Sequence, residues 1–238
     1  LLRTAAIAGL LSAVVAVAFN AIHPRATSAS LNDVTALLPI VGASRSWRVV
    51  HFASVLATLA GVVAIVAVLW SMVVDGSRRW PVVALVALIL TTPTLLVSVG
   101  IDGFAIKSVA DRWVGATGAD RDLLTSAATA LRSIDVAVLD LVMIGHFGIT
   151  TILLGVASWT SPLYGKRIAA VAFAAGVTGL ASGTIQAMSG RLTVASYLVL
   201  LTVSLALFTV WLALACFVLW SRAAQLGNTA SPLPAGAS

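Results

Sequence analysis

The sequence predicts an all-α, polytopic membrane bundle of six spans. Of the 238 residues, 60% are hydrophobic and 9% charged, with a mean hydropathy of +1.08. An ordinary soluble domain is roughly half apolar and about a quarter charged. The apolar residues fall in continuous runs, several reaching the roughly 20 residues that cross a hydrocarbon core of about 30 Å. Those runs lack the alternation of a transmembrane barrel.

The spans are expected, in order, at about residues 3–22, 48–74, 80–101, 134–159, 167–188 and 194–221. The first is opened by Arg3. Its Ala16-Val17-Ala18 resembles a signal-peptide cleavage site, but the stretch is long enough to cross and is taken as a retained span. The third carries Pro93, which lacks an amide hydrogen and should bend the helix. Thr91, Thr92 and Thr94 could bond the carbonyls it frees. Residues 1–225 read as one transmembrane domain. From Leu226 to Ser238 the chain turns to Gly, Pro, Ser and Ala, a composition predicting disorder.

The loops set the orientation. The links after spans two and four are short and basic, with Arg78 and Arg79, then Lys166 and Arg167, while Arg3 and Arg222 flank the outermost spans. Basic residues in short loops mark the cytoplasmic side. The prediction is therefore a multi-pass protein of the inner (plasma) membrane with both termini cytoplasmic. The net charge of +6 fits contact with anionic lipid headgroups and not nucleic acid. Single Cys216 excludes an intrachain disulfide.

The longer outer links predict short interfacial helices. Leu31, Val34, Leu37 and Leu38 follow helical spacing after Ser30, a candidate N-cap, and Pro39 should end that turn. Phe104, Ile106, Val109, Ala110, Trp113 and Val114 form an apolar stripe opposite Lys107, Ser108, Asp111 and Arg112, which predicts a helix lying in the interface. Gly115 and Gly118 break it. A new helix then starts near Asp120 and runs into span four, so the two pieces could form an outer lid. Trp47, Trp70, Trp80, Trp113, Trp159 and Trp220 are placed as an interfacial belt.

On span five, Ala175, Gly176, Gly179 and Gly183 give a small-residue face for close helix contact, either within the chain or in a homo-oligomer through Gly179 and Gly183. Thr178, Ser182 and Gln186 form a polar stripe beside it.

Ionisable groups inside spans are costly and mark function by default. His51, Asp102, Asp140 and His146 are the candidate catalytic residues. Asn20, His23, Arg48, Asp135, Ser182 and Gln186 are candidate ligand-binding residues. All fall toward the outer half, which predicts one polar chamber there. On span four, Asp135, Leu139, Val142 and His146 share a face, with His146 deepest and Asp140 off that line. The chamber would bind or transform a small apolar or amphipathic molecule by acid–base chemistry. A second reading is a haem- or metal-binding electron carrier using His51 and His146 as ligands. Histidines plus an aspartate could also hold zinc and activate water. A third reading is a structural or assembly subunit whose polar groups only join helices. Bland roles also stand: His23 before Pro24 could cap span one, and Asp135 could pair with Arg132 at the surface.

The chain has no glutamate, so carboxylate chemistry falls to aspartate. No lysine in a late span could carry a retinal Schiff base, and no nucleotide-binding glycine motif appears. Arg3 through Ala18, the run Trp47-Arg48-Val49-Val50-His51, and Gly155 through Gly183 together resemble an uncharacterised family of bacterial six-span integral membrane proteins. The resemblance implies topology and no particular chemistry.

Overall fold

The structure, a computed structural model, describes residues 1–23 and 30–229; the side chains of Asn20 and of residues 226–229 lie outside the description. All its regular structure is helical. The helices are α1 (Leu2–Ile22), α2 (Val34–Ala43), α3 (Trp47–Val74), α4 (Arg79–Gly115), α5 (Gly118–Thr160), α6 (Gly165–Ser189) and α7 (Val194–Leu201 continued by Thr202–Thr229). All but α2 are long and apolar enough to cross a membrane. Outward-facing side chains such as Val63, Leu90 and Phe217 are apolar and exposed. That surface suits lipid, and the chain is a multi-pass membrane protein.

The six spans form a ring in chain order. α1 packs on α3, α3 on α4, α4 on α5, α5 on α6 and α6 on α7, and α7 closes against α1. The interior is filled at the end carrying the short basic loops. Ile65, Val68, Leu69 and Met72 of α3 meet Leu154 of α5 and Trp211, Cys216 and Leu219 of α7, all nearly inaccessible. Fully burying one such side chain is worth roughly 1.5–3 kcal/mol.

Glycines set the tightest contact. A Cβ added at Gly176 would stand 2.6 Å from Ile152 Cγ1; at Gly179, 2.6 Å from the Phe147 carbonyl oxygen; at Gly183, 2.8 Å from Ile144 Cγ1. The small face of α6 is therefore filled by α5 of the same chain. The expectation of an oligomer through Gly179 and Gly183 is corrected on that ground.

At the opposite end a helical cap rises over the ring. At about 1.5 Å per residue, the 37 residues of α4 and 43 of α5 reach about 55 and 65 Å, far beyond a core of about 30 Å. The stripe from Phe104 to Val114 is thus not a separate interfacial helix. It continues α4 through a wide π-helical turn at Ile101–Ile106. Ile106, Ala110 and Trp113 pack there with Leu37, Leu38 and Val41 of α2 and with Leu124 and Ala128 of α5. The second outer helix runs unbroken into span four, as the sequence predicts.

The small helix α2 departs from expectation at both ends. Asp33, not Ser30, is its N-cap: Oδ1 accepts from the Thr35 amide at 2.9 Å and the Thr35 hydroxyl at 2.7 Å. Those bonds hold the Asp33 carboxyl below its ordinary value of 3.8. Pro39 lies inside the helix and does not end it. A proline in a helix interior costs about 3 kcal/mol. Burying Leu37, Leu38 and Val41, at roughly 1.5–3 kcal/mol each, offsets that. At its C-terminal end, Lys107 Nζ donates to the Val41 and Gly42 carbonyls, both at 3.0 Å, and pairs with Asp111 at 2.6 Å. A buried cation thus satisfies carbonyls that the helix leaves open.

Other details also differ. Trp47 and Trp113 are buried in the cap and do not belong to an interfacial belt. At the basic end, Arg3 stacks over Trp220, Arg79 over Trp80 and Lys166 over Trp159. The threonines around Pro93 bond the Ala87, Leu88 and Thr91 carbonyls, not that of Ile89, which the proline frees. α7 continues to Thr229, past the predicted start of the tail at Leu226. The rest of that predicted tail lies outside the described residues.

Candidate functional site

Three side chains converge where the ring meets the cap. α1 ends at Ile22 and places His23 beside the start of α3. His51 lies one turn into α3 and is 5% exposed. Asp102 sits in the π-helical turn of α4. His51 Nε2 is 3.1 Å from Asp102 Oδ2 and 3.5 Å from His23 Nε2. The ligand-capable atoms of all three residues lie within 4.8 Å of one another.

The local backbone explains the fit. A Cβ on Gly103 would stand 2.3 Å from His51 Cβ. Only glycine lets α4 approach this closely, and the adjacent Asp102 is carried to the imidazole. Trp47, one turn before His51, stacks on its ring with centroids 5.1 Å apart and lies 4.9 Å from the His23 ring. Its indole N–H donates to the Asp102 carbonyl at 2.9 Å.

The tautomer of His51 follows from its partners. Nδ1 is 2.7 Å from the Trp47 carbonyl oxygen, which can only accept, so Nδ1 carries the hydrogen. Nε2 then faces a carboxylate oxygen and a second imidazole nitrogen. These atoms would meet lone pair to lone pair without a proton or a cation among them.

A buried ion pair adjoins this cluster. Arg132 Nη1 donates to Asp135 Oδ2 at 2.7 Å, and Nη2 to the Leu31 carbonyl at 3.3 Å. Ser98 donates to Asp135 Oδ1 at 3.3 Å. The expected Arg132–Asp135 pair therefore forms, but inside the protein and not at its surface, with Asp135 2% exposed. Arg132 acts electrostatically on Asp102 as well, and Tyr197 of α7 lies within range of Asp102, Arg132 and Asp135. Arg132 is thus paired with Asp135 and within electrostatic range of Asp102.

The single chamber that the sequence predicts is not formed. His146 lies deeper, where Nδ1 is 3.2 Å from Thr91 Oγ1. Thr91 gives its hydrogen to the Ala87 carbonyl, so His146 is the donor. Thr150 is 3.1 Å from the same hydroxyl. Thr91 and Asp102 are eleven residues apart on α4, about 16 Å along the axis. Val142 and Met143 lie in an apolar layer with Leu95, Val138 and Leu139, cap-ward of His146 along α5. His51 and His146 therefore lie too far apart to share one haem or one metal ion, and the imidazole beside His51 is that of His23.

Other candidates also lie apart. Arg48 pairs with Asp111 at 3.0 Å on the exterior of the cap. Ser182 donates to the Ser196 carbonyl at 2.7 Å, and Gln186 Nε2 to Ser182 at 3.1 Å, joining α6 to α7. Asp140 is half-buried on the side of α5 turned from Asp135. The Asn20 side chain lies outside the described residues. Two clefts are apolar surface grooves, one of about 340 Å³ lined by Val156, Trp159 and Phe173, the other of about 250 Å³ between α1 and α3. Neither is lined by a predicted site residue.

Sequence reasoning passed over Trp47 as part of the site, and also Gly103 and Tyr197. The signals present were the four-residue step from Trp47 to His51 and the glycine next to Asp102. Comparison with family models, with curated proteins and with solved structures returns no match.

Proposed function

We propose that this membrane protein binds a divalent transition-metal ion through His23, His51 and Asp102. The convergence of three donor atoms carries the reading. Two ligands each about 2.0–2.1 Å from a zinc ion at the tetrahedral angle stand about 3.3 Å apart. The separations of 3.1 and 3.5 Å fall on either side of that value. His51 also has the support typical of a metal ligand, its second ring nitrogen donating to a backbone carbonyl. The Asp102 carboxylate set against two imidazoles favours a cation. Imidazole and carboxylate donors suit zinc and its first-row neighbours.

Three protein ligands leave a coordination position open. A metal held this way would lower the pKa of bound water or polarise a carbonyl or phosphoryl oxygen. The candidate substrate is a small amphipathic molecule that reaches the membrane boundary under the cap. Basic residues in short loops favour the cytoplasmic side, which supports a reading in which the opposite end, and with it the site, faces outward.

The test is metal content and affinity of the purified protein. Wild-type protein should bind about one zinc or cobalt ion, with a visible cobalt spectrum. Asp102→Asn and His51→Gln should each weaken binding at least about 100-fold, since disturbing a supporting group alone costs 10–100-fold. No stoichiometric metal, or affinity unchanged in both variants, refutes the reading. In the absence of metal, the site reverts to an acid–base pair in which His51 Nε2 exchanges its proton with Asp102.

A further inference from the structure

Two further polar side chains fall at one level of the α5–α6 interface, apart from the His–Asp cluster. The glycine contacts fix the register of these antiparallel helices. Gly176 meets Ile152 and Gly148, Gly179 meets Phe147, and Gly183 meets Ile144 and Met143. Each step along α6 toward the cap is matched by an equal step backward along α5. The next turn sets Gln186 opposite Asp140. Both residues carry a buried oxygen with no hydrogen-bond partner, Asp140 Oδ1 and Gln186 Oε1. Gln186 itself is fully buried.

The amide cannot resolve this by turning over. Ser182 commits its hydrogen to the Ser196 carbonyl at 2.7 Å, so its oxygen accepts from Gln186 Nε2. A reversed amide would set Gln186 Oε1 against Ser182 Oγ with no hydrogen between them. The register thus brings two unpartnered acceptors to the same level of the interface. An unsatisfied buried acceptor costs about 1–3 kcal/mol, and more when charged.

We infer that Asp140 and Gln186 form a proton-binding site, in which the Asp140 carboxyl donates its hydrogen to Gln186 Oε1. One proton satisfies both oxygens. A hard metal cation would need about six oxygen ligands, and only two are free here. Among the described residues, Asp140 is in no ion pair. Asp102 of α4, Arg132 and Asp135 of α5 and Tyr197 of α7 act on one another instead.

Infrared spectroscopy of the full chain in lipid vesicles at pH 7 tests this. The wild type should show a protonated-carboxyl C=O stretch that disappears in Asp140→Asn. That variant supplies its own N–H to Gln186 Oε1 and should fold and melt like the wild type. Gln186→Leu should move the same band to higher frequency, because the carbonyl-side acceptor of its hydrogen is gone. A wild-type spectrum without the band, or one that Asp140→Asn leaves unchanged, overturns the proposal. Metal binding should be unaffected by Asp140→Asn, which separates this outcome from the fate of the His23–His51–Asp102 site.

Discussion

Gly103→Ala places one methyl group at the tightest contact of the site. The new Cβ would lie 2.3 Å from His51 Cβ and 2.5 Å from Cγ. Non-bonded carbons prefer about 3.5–4.0 Å, so His51 and α4 must part by about 1.5 Å. Metal–ligand bonds of about 2.0–2.2 Å do not survive that displacement. Losing one of three ligands should cost at least about 100-fold in affinity, since disturbing a supporting group alone costs 10–100-fold. Overpacking should also destabilise the fold by about 1–3 kcal/mol. Metal competition against a chromophoric chelator and thermal melting in detergent measure the two effects. Gly100→Ala is the control: it lies on the same helix, and its Cβ would meet nothing within 4 Å. Gly103→Ala protein with wild-type affinity and melting would refute the close approach of α4 to His51.

Gly183→Leu should destabilise the fold by about 1–3 kcal/mol or more without changing oligomeric state, read by melting and light scattering. Lys107→Met should speed amide exchange across α2, because the Val41 and Gly42 carbonyls lose their donor; each buried acceptor left unpaired costs about 1–3 kcal/mol. The Asp33 cap should respond to acid in a defined direction. Its carboxyl titrates below 3.8 in the folded protein, so its contribution is complete above that pH. Protection of the Thr35 amide should persist at pH 5 and fall only as pH drops below 3.8 through the lowered folded value.

The spans were legible because hydrophobic run length is a local property. The glycine face of α6 was legible too, since small residues four apart leave few other uses in a membrane helix. The end of α4 was misread because an amphipathic stripe looks the same whether its apolar side meets lipid or α2. Nothing local distinguishes Trp113 in a protein core from Trp113 in a headgroup layer. Pro39 was misread because packing on Leu37, Leu38 and Val41 outweighs a local helix breaker. The site was half legible. The sequence singled out His23, His51 and Asp102, but also merged them with His146 and Asp140. Separating them requires knowing that Thr91, not Ser98 or Asp102, stands beside His146, and that is a matter of helix register.

The ring of helices follows chain order, and His23, His51 and Asp102 come from its first three spans. Membrane insertion proceeds from the N-terminus, so these side chains can meet before α5, α6 and α7 have left the ribosome. Arg132 and Tyr197 arrive later, on α5 and α7. The half-made protein would then hold its most polar atoms together early, while the wall that shields them is still being built.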